Sequence, residues 1–178
     1  MALHEHIRHT PILSASEAPL RMIGAFAESV GQATDLTQVG ECILRILSEQ
    51  LRLPKAAIWI REANGEYHLL ASLGHRTLAA LPASLPDNHA LITGLSDRLH
   101  LLRYDQASSS PAGSAMISIQ AAVCIPLRNK TQFLGLCALG PIGTECHLDE
   151  DTVIIAETVA RIACNTLDHH LAQDDLRR

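Results

Sequence analysis

"AAVCIPLRNKTQFLGLCALGP", residues 121–141, reads as two apolar strands, 121–127 and 132–139, joined by the polar turn Arg128-Asn129-Lys130-Thr131. Successive strand residues project to opposite faces, so strict alternation splits the hairpin in two. One face carries Val123, Ile125, Leu127, Leu134, Leu136 and Ala138, bulky enough to pack under helices. The other carries Ala122, Cys124, Phe133, Gly135 and Cys137. These are mostly small side chains and leave room above the sheet.

A second hairpin stands upstream. In "KAAIWIREANGEYHLLAS" two β-rich runs, 55–61 and 66–72, flank Asn64-Gly65, a dipeptide suited to a tight turn because both residues tolerate positive φ. Alternation places Ile58, Ile60, Tyr67 and Leu69 on one face, and Ala57, Trp59, His68 and Leu70 on the other. Joining the two small-residue sets gives a sheet face with little bulk and one Trp–His pair.

Around the hairpins the apolar period becomes helical. Leu20, Met22, Ile23, Phe26, Ala27 and Val30 share one face of a helix that follows the cap residues Ser14 and Ser16. A second helix, 36–51, buries Leu36, Val39, Ile43, Ile46 and Leu47 and ends before Pro54. Between the hairpins, residues 74–120 are irregular. They hold a short helix near 88–96, a strand-like "RLHLLR" (98–103) and the turn-forming "YDQASSSPAG". A long helix, 149–176, closes the chain. Helix, helix, hairpin, irregular segment, hairpin, helix is the order of an α+β fold with an antiparallel sheet.

Composition excludes several roles. The net charge of −5, with two lysines and scattered arginines, does not suit a nucleic-acid partner. No run approaches the roughly 18 apolar residues of a membrane span, so no membrane contact is expected. The five cysteines lack a C-x-x-C and read as small hydrophobes of a reduced, cytoplasmic protein.

The ordered set Ile125-Pro126-Leu127, Phe133-Leu134-Gly135 and Leu148-Asp149-Glu150-Asp151 resembles the C-terminal half of a GAF domain. "AAIWIREANGEYHLLASLG" is similar to that family's first hairpin, and helix 36–51 to its opening helix. The likeness is to GAF domains of bacterial sensor kinases and related signalling proteins, including two-component systems. It implies a six-stranded antiparallel sheet with helices on one face and a small-molecule pocket on the other, covered by 74–120. Cyclic-nucleotide-binding members carry Asn-Lys where this chain has Gly140-Pro141, so that ligand is not implied. Asp149 is the expected cap of the last helix.

On this reading Trp59, His68, Cys124, Phe133, Gly135 and Cys137 line the pocket from the sheet, and His89, His100, Tyr104 and Met116 line it from the covering segment. GAF-fold reductases of methionine sulfoxide use cysteines in the segment that closes the pocket. Residues 74–120 contain none, and no catalytic role is expected. Bilin attachment lacks its cysteine for the same reason, since Cys146-His147 stands just before the last helix. A haem- or iron-based gas or redox sensor would draw on His75, His89 and His100 with Asp87, Tyr104 and Asp105. The sequence specifies no cofactor. A structural alternative is a pocket filled by the covering segment's own side chains, leaving a dimerisation module.

The apolar arc of the last helix, about 200° wide at 3.6 residues per turn, exceeds what one sheet needs. Ile155, Val159 and Ile162 on that helix, with Met22 and Phe26 on the first, are therefore the expected homodimer interface. The expected division is a disordered tail (1–15), a signalling and dimerisation helix (16–34), a sensory domain (35–170) and the start of a linker helix (171–178), which leads to an output domain outside this chain.

Overall fold

The computed structural model describes residues 17–75, 81–142 and 148–177. The expected tail, 1–15, and Cys146-His147 lie outside them, as does the side chain of Met22. Helices α1 (Glu17–Gly31) and α2 (Leu36–Leu51) precede strands β1 (Lys55–Arg61) and β2 (Tyr67–Leu73). The covering segment follows as β3 (Ser84–Leu85), α3 (Ala90–Leu95), β4 (Leu102–Arg103), α4 (Tyr104–Ala107) and α5 (Pro111–Ser118). Strands β5 (Val123–Arg128) and β6 (Phe133–Gly140) and helix α6 (Glu150–Arg177) complete the chain. The sheet has six antiparallel strands in the order β3-β2-β1-β6-β5-β4.

Local chemistry sets the helix ends. Asp35 Oδ1 accepts the Gln38 amide at 2.8 Å to cap α2, and Asp149 Oδ1 accepts the Thr152 amide at 2.8 Å to cap α6 as expected. At the far end of α2, Arg52 takes a left-handed conformation (φ 53°), and its amide turns back to the carbonyls of Ser48 and Glu49. Buried Ser48 donates its hydroxyl to the Leu53 carbonyl.

Two apolar layers sandwich the sheet. Ile58, Ile60, Val123, Ile125 and Leu127 pack under α1, α2 and α6 with Phe26, Ile43, Leu47, Val159 and Leu167. On the opposite face Trp59, Tyr67, Cys124 and Leu136 pack against Leu91, Ile92 and Leu95 of α3 and Met116 of α5.

Strict alternation fails at the β1–β2 loop, at a bulge that leaves Leu70 unpaired between the Ile58–Ala71 and Trp59–Leu69 pairs, and at a bulge in β6; all are register effects. The β1–β2 loop has three residues, not two. The Glu62 amide bonds the Glu66 carbonyl, and Gly65 sits at φ +86° donating back to Glu62. This pairs Arg61 with Tyr67 and Ile60 with His68. A one-residue slip exchanges faces, so Tyr67 and Leu69 join Trp59, whereas His68 and Leu70 turn to the helix side. In β6 the register shifts opposite Leu127 and Arg128, which pair with Gly135 and Phe133. This bulge spends an extra residue at Leu134 and inverts the pattern beyond it. Leu136 and Ala138 therefore face the covering segment, and Cys137 joins the helix-side core, opposite to the expected assignment.

Where a loop was expected over 104–113, α4 spans Tyr104–Ala107 and α5 begins at Pro111. Ser110 Oγ accepts the Gly113 amide at 3.2 Å and Pro111 occupies the first helical position. Ser-Pro at these positions is a readable start signal, obscured here by the serine run.

Candidate functional site

The space above the sheet's covered face is occupied. Trp59 is fully buried and its indole Nε1 donates to the Pro82 carbonyl at 2.9 Å, tying β1 to the chain entering the covering layer. Met116 and Cys124 are fully buried in the same cluster. Phe133 meets Tyr67 with ring centroids 5.6 Å apart, and Tyr104 packs at the margin. The fold thus brings Trp59, Tyr104, Met116, Cys124 and Phe133 together as expected, with their space filled by leucines and isoleucines of the covering segment. Burial pushes the Cys124 thiol up to about 12, so it is an inert thiol at neutral pH.

The other expected pocket residues stand elsewhere. His68 is on the helix side, 3.8 Å from Glu62 and 3.6 Å from Glu66. Half-buried His89 caps α3, its Nδ1 accepting the Leu91 amide at 3.3 Å, and burial lowers its pKa. An accepting Nδ1 requires the neutral ring, in agreement with that direction. The His100 side chain is 79% exposed and points to Glu157 of α6 at 3.1 Å. Gly135 lines no cavity, because a Cβ there would meet the Trp59 carbonyl oxygen at 2.0 Å. Cys137 lies on the far face, where burial raises its thiol well above the ordinary value, with Cys164 and Cys124 adding to the shift.

Two of the expected interface residues lie inside the chain's own core. Phe26 and Val159 are fully buried there, because α1 lies along α6 and takes up part of the wide apolar arc. Ile155 and Ile162 are half-buried against the same core. Ile154, not singled out from the sequence, is the exposed isoleucine of α6.

Two charged side chains join the covering layer to the rest of the fold. Glu157 of α6 accepts the Leu101 amide at 3.1 Å as well as the His100 ring. Arg128, at the end of β5, donates Nη1 to the carbonyls of Ser96 at 2.9 Å and Arg98 at 3.3 Å. Both clamp residues 96–101. Charge-assisted bonds to backbone groups rank among the stronger hydrogen bonds in proteins, so this short connection is held from two sides.

Open volumes remain beside the packed layers, among them one of about 310 Å³ between α2 and β2 bordered by Glu41, Cys42, Arg45 and Ser72. A crevice of about 270 Å³ lies between α3 and α5, bordered by Thr93, Gly94, Arg98, Gln106 and Ser110. A larger, half-open cavity of about 500 Å³ lies at the hairpin-loop end of the sheet, on the side of α2 and α6. Its walls include Leu36, Ile60, His68, Leu70, Leu134 and Leu171. Among the described residues no group of three or more His, Cys, Asp and Glu side chains is placed to hold a metal ion, and no helix is long and apolar enough to cross a membrane.

No protein-family model matches this sequence, and no curated protein does. Solved structures do match. The GAF domain of a phosphoenolpyruvate-protein phosphotransferase from Coxiella burnetii superposes with a TM-score of 0.71 at 20% identity, over 91% of this chain and 99% of that one. The corresponding domain from Acinetobacter gives 0.71 at 13% identity, over 89% and 98%. Residues 122 to 287 of a methyl-accepting chemotaxis protein give 0.65 at 15% identity, over 83% and 98%. On these superpositions this chain has the fold of a GAF domain.

Proposed function

We propose that the chain is a non-catalytic sensory or regulatory domain. In this reading the covering layer receives the input and α1 and α6 carry it to an output domain. The observation that carries it is the Glu157 bond to the Leu101 amide, which couples the covering layer directly to α6. A small molecule entering beside Trp59 and Met116 displaces side chains of α3 and α5 and shifts residues 96–101, and Glu157 passes that shift to α6. Such a ligand acts only through its different affinity for two arrangements of the helices. The similar domains from a phosphotransferase and a chemotaxis protein make a regulatory role a natural one for this fold. The four described cysteines are all unpaired, which suits the cytoplasm.

Hydrogen exchange tests the coupling. Glu157→Ala raises exchange both at residues 99–104 and along 150–164, whereas Glu157→Gln, which keeps an acceptor, raises it less. Faster exchange confined to 99–104 would overturn the reading.

The packed cluster around Trp59 favours one second reading, a homodimerisation module with a filled pocket. Native mass spectrometry separates the two. A ligand-free dimer supports the second, and extra bound mass supports the first.

A further inference from the structure

The half-open cavity at the hairpin-loop end of the sheet has a lining of definite chemistry. The cavity of about 500 Å³ is within the range of small-molecule sites. Its apolar wall is formed by Ile60, Leu70, Phe133 and Leu134 from the sheet and Leu36 and Leu171 from α2 and α6. Its rim carries the carboxylates of Glu62 and Asp168.

Asp168 is the informative group. Its hydrogen-bond partners among the described residues are neutral amides, Asn129 Nδ2 at 3.1 Å and Gln132 Nε2 at 3.5 Å. It forms no ion pair with a described residue, although it is half-buried. Among the described residues Glu62 pairs with the His68 ring, at 3.8 Å. Among the described residues bordering the cavity, one lysine or arginine, Arg61, stands against two carboxylates. A carboxylate partly withdrawn from water gains most from a cation beside it.

We propose that this cavity binds a small cationic amphiphile, an apolar body bearing one amine, with the amine at Asp168 and the body against Leu134 and Leu171. The position matters because Asp168, Leu171 and Ala172 all belong to the last turns of α6. Filling the space under them buries apolar surface that is otherwise half open and steadies the helix where it leaves the domain. This inference shares the regulatory reading's output helix but not its input side.

The test uses n-hexylamine as probe, with n-hexanoate and n-hexanol as charge controls, followed by amide chemical shifts of the isotope-labelled chain. Hexylamine shifts the amides of Gln132, Asp168 and Leu171 saturably, with a Kd of about 1 mM, as befits so few atoms. Hexanoate binds at least ten-fold more weakly. Asp168→Asn, which keeps an acceptor for Asn129, removes the preference for hexylamine over hexanol, and Ala172→Trp at the exposed rim blocks both. Equal binding of hexanoate, or shifts that map to another face, would overturn the site. Neither of those results touches the Glu157 exchange experiment, so the two proposals fail separately.

Discussion

The carbonyl oxygen of Trp59 occupies the place next to Gly135 that a side chain would need: a Cβ built there lies 2.0 Å from it. The contact is backbone to backbone between β1 and β6, where Ile60 pairs with Gly135. The neighbour is therefore not a flexible side-chain end that swings away. Gly135→Ala is expected to cost about 4 kcal/mol or more, in the range of severe core disruptions. Urea unfolding followed by circular dichroism measures it. Gly24, within α1, is the opposite case, with nothing within 4 Å of its missing side chain. Gly24→Ala is expected to stabilise by about 0.5–1 kcal/mol through helix propensity.

Trp59 is the single tryptophan, so its fluorescence reports on the covered face alone. Full burial predicts blue-shifted emission, weakly quenched by acrylamide, that reddens on unfolding. Trp59→Phe removes the bond to Pro82 and leaves a void, at an expected cost of about 2–3 kcal/mol.

Alkali should unfold the domain through its thiols. Cys124 and Cys164 are pushed up by burial to about 12 from an ordinary 9.0, and Cys137 is raised well above it. The folded state therefore holds these protons more tightly than the unfolded chain. The stability they contribute is fully present below pH 9 and is lost as pH rises from 9 toward 12. The expected slope is about 1.4 kcal/mol per pH unit for each thiol. Unfolding free energies at pH 8, 9.5 and 10.5 test this, with Cys124→Ser and Cys164→Ala expected to flatten the curve.

Phe26 fixes α1 to the core, and Phe26→Ala is expected to cost about 3–5 kcal/mol. If α1 belongs to the folded unit, the variant loses protection along α6 as well as α1 in hydrogen exchange. His100→Ala, at a side chain 79% exposed, is expected to change stability by no more than about 0.5 kcal/mol. Glu157→Ala is expected to cost about 1–2 kcal/mol, because it leaves the Leu101 amide unsatisfied.

The element order was legible because each element carries its own signal. Apolar residues at helical spacing mark α1, α2 and α6, alternating β-rich runs mark the hairpins, and Asp35 and Asp149 stand at the caps. Less of the candidate site was legible. Trp59, Cys124 and Phe133 were placed on the covered face correctly, but His68 and Cys137 were not, since a three-residue loop and one bulge each exchange the faces of a strand.

From the sequence alone came the α+β architecture and the division into two hairpins and three long helices, properties set by local periodicity and turn chemistry. Tertiary structure decided what lies on each face, because facing depends on register, and register on loops and bulges whose length composition does not reveal. It also placed α1 along α6, where Phe26 and Val159 share one buried core and cover part of the wide arc. And it placed Glu157 beside Leu101 and Asp168 beside Asn129, pairs 56 and 39 residues apart that no local pattern connects.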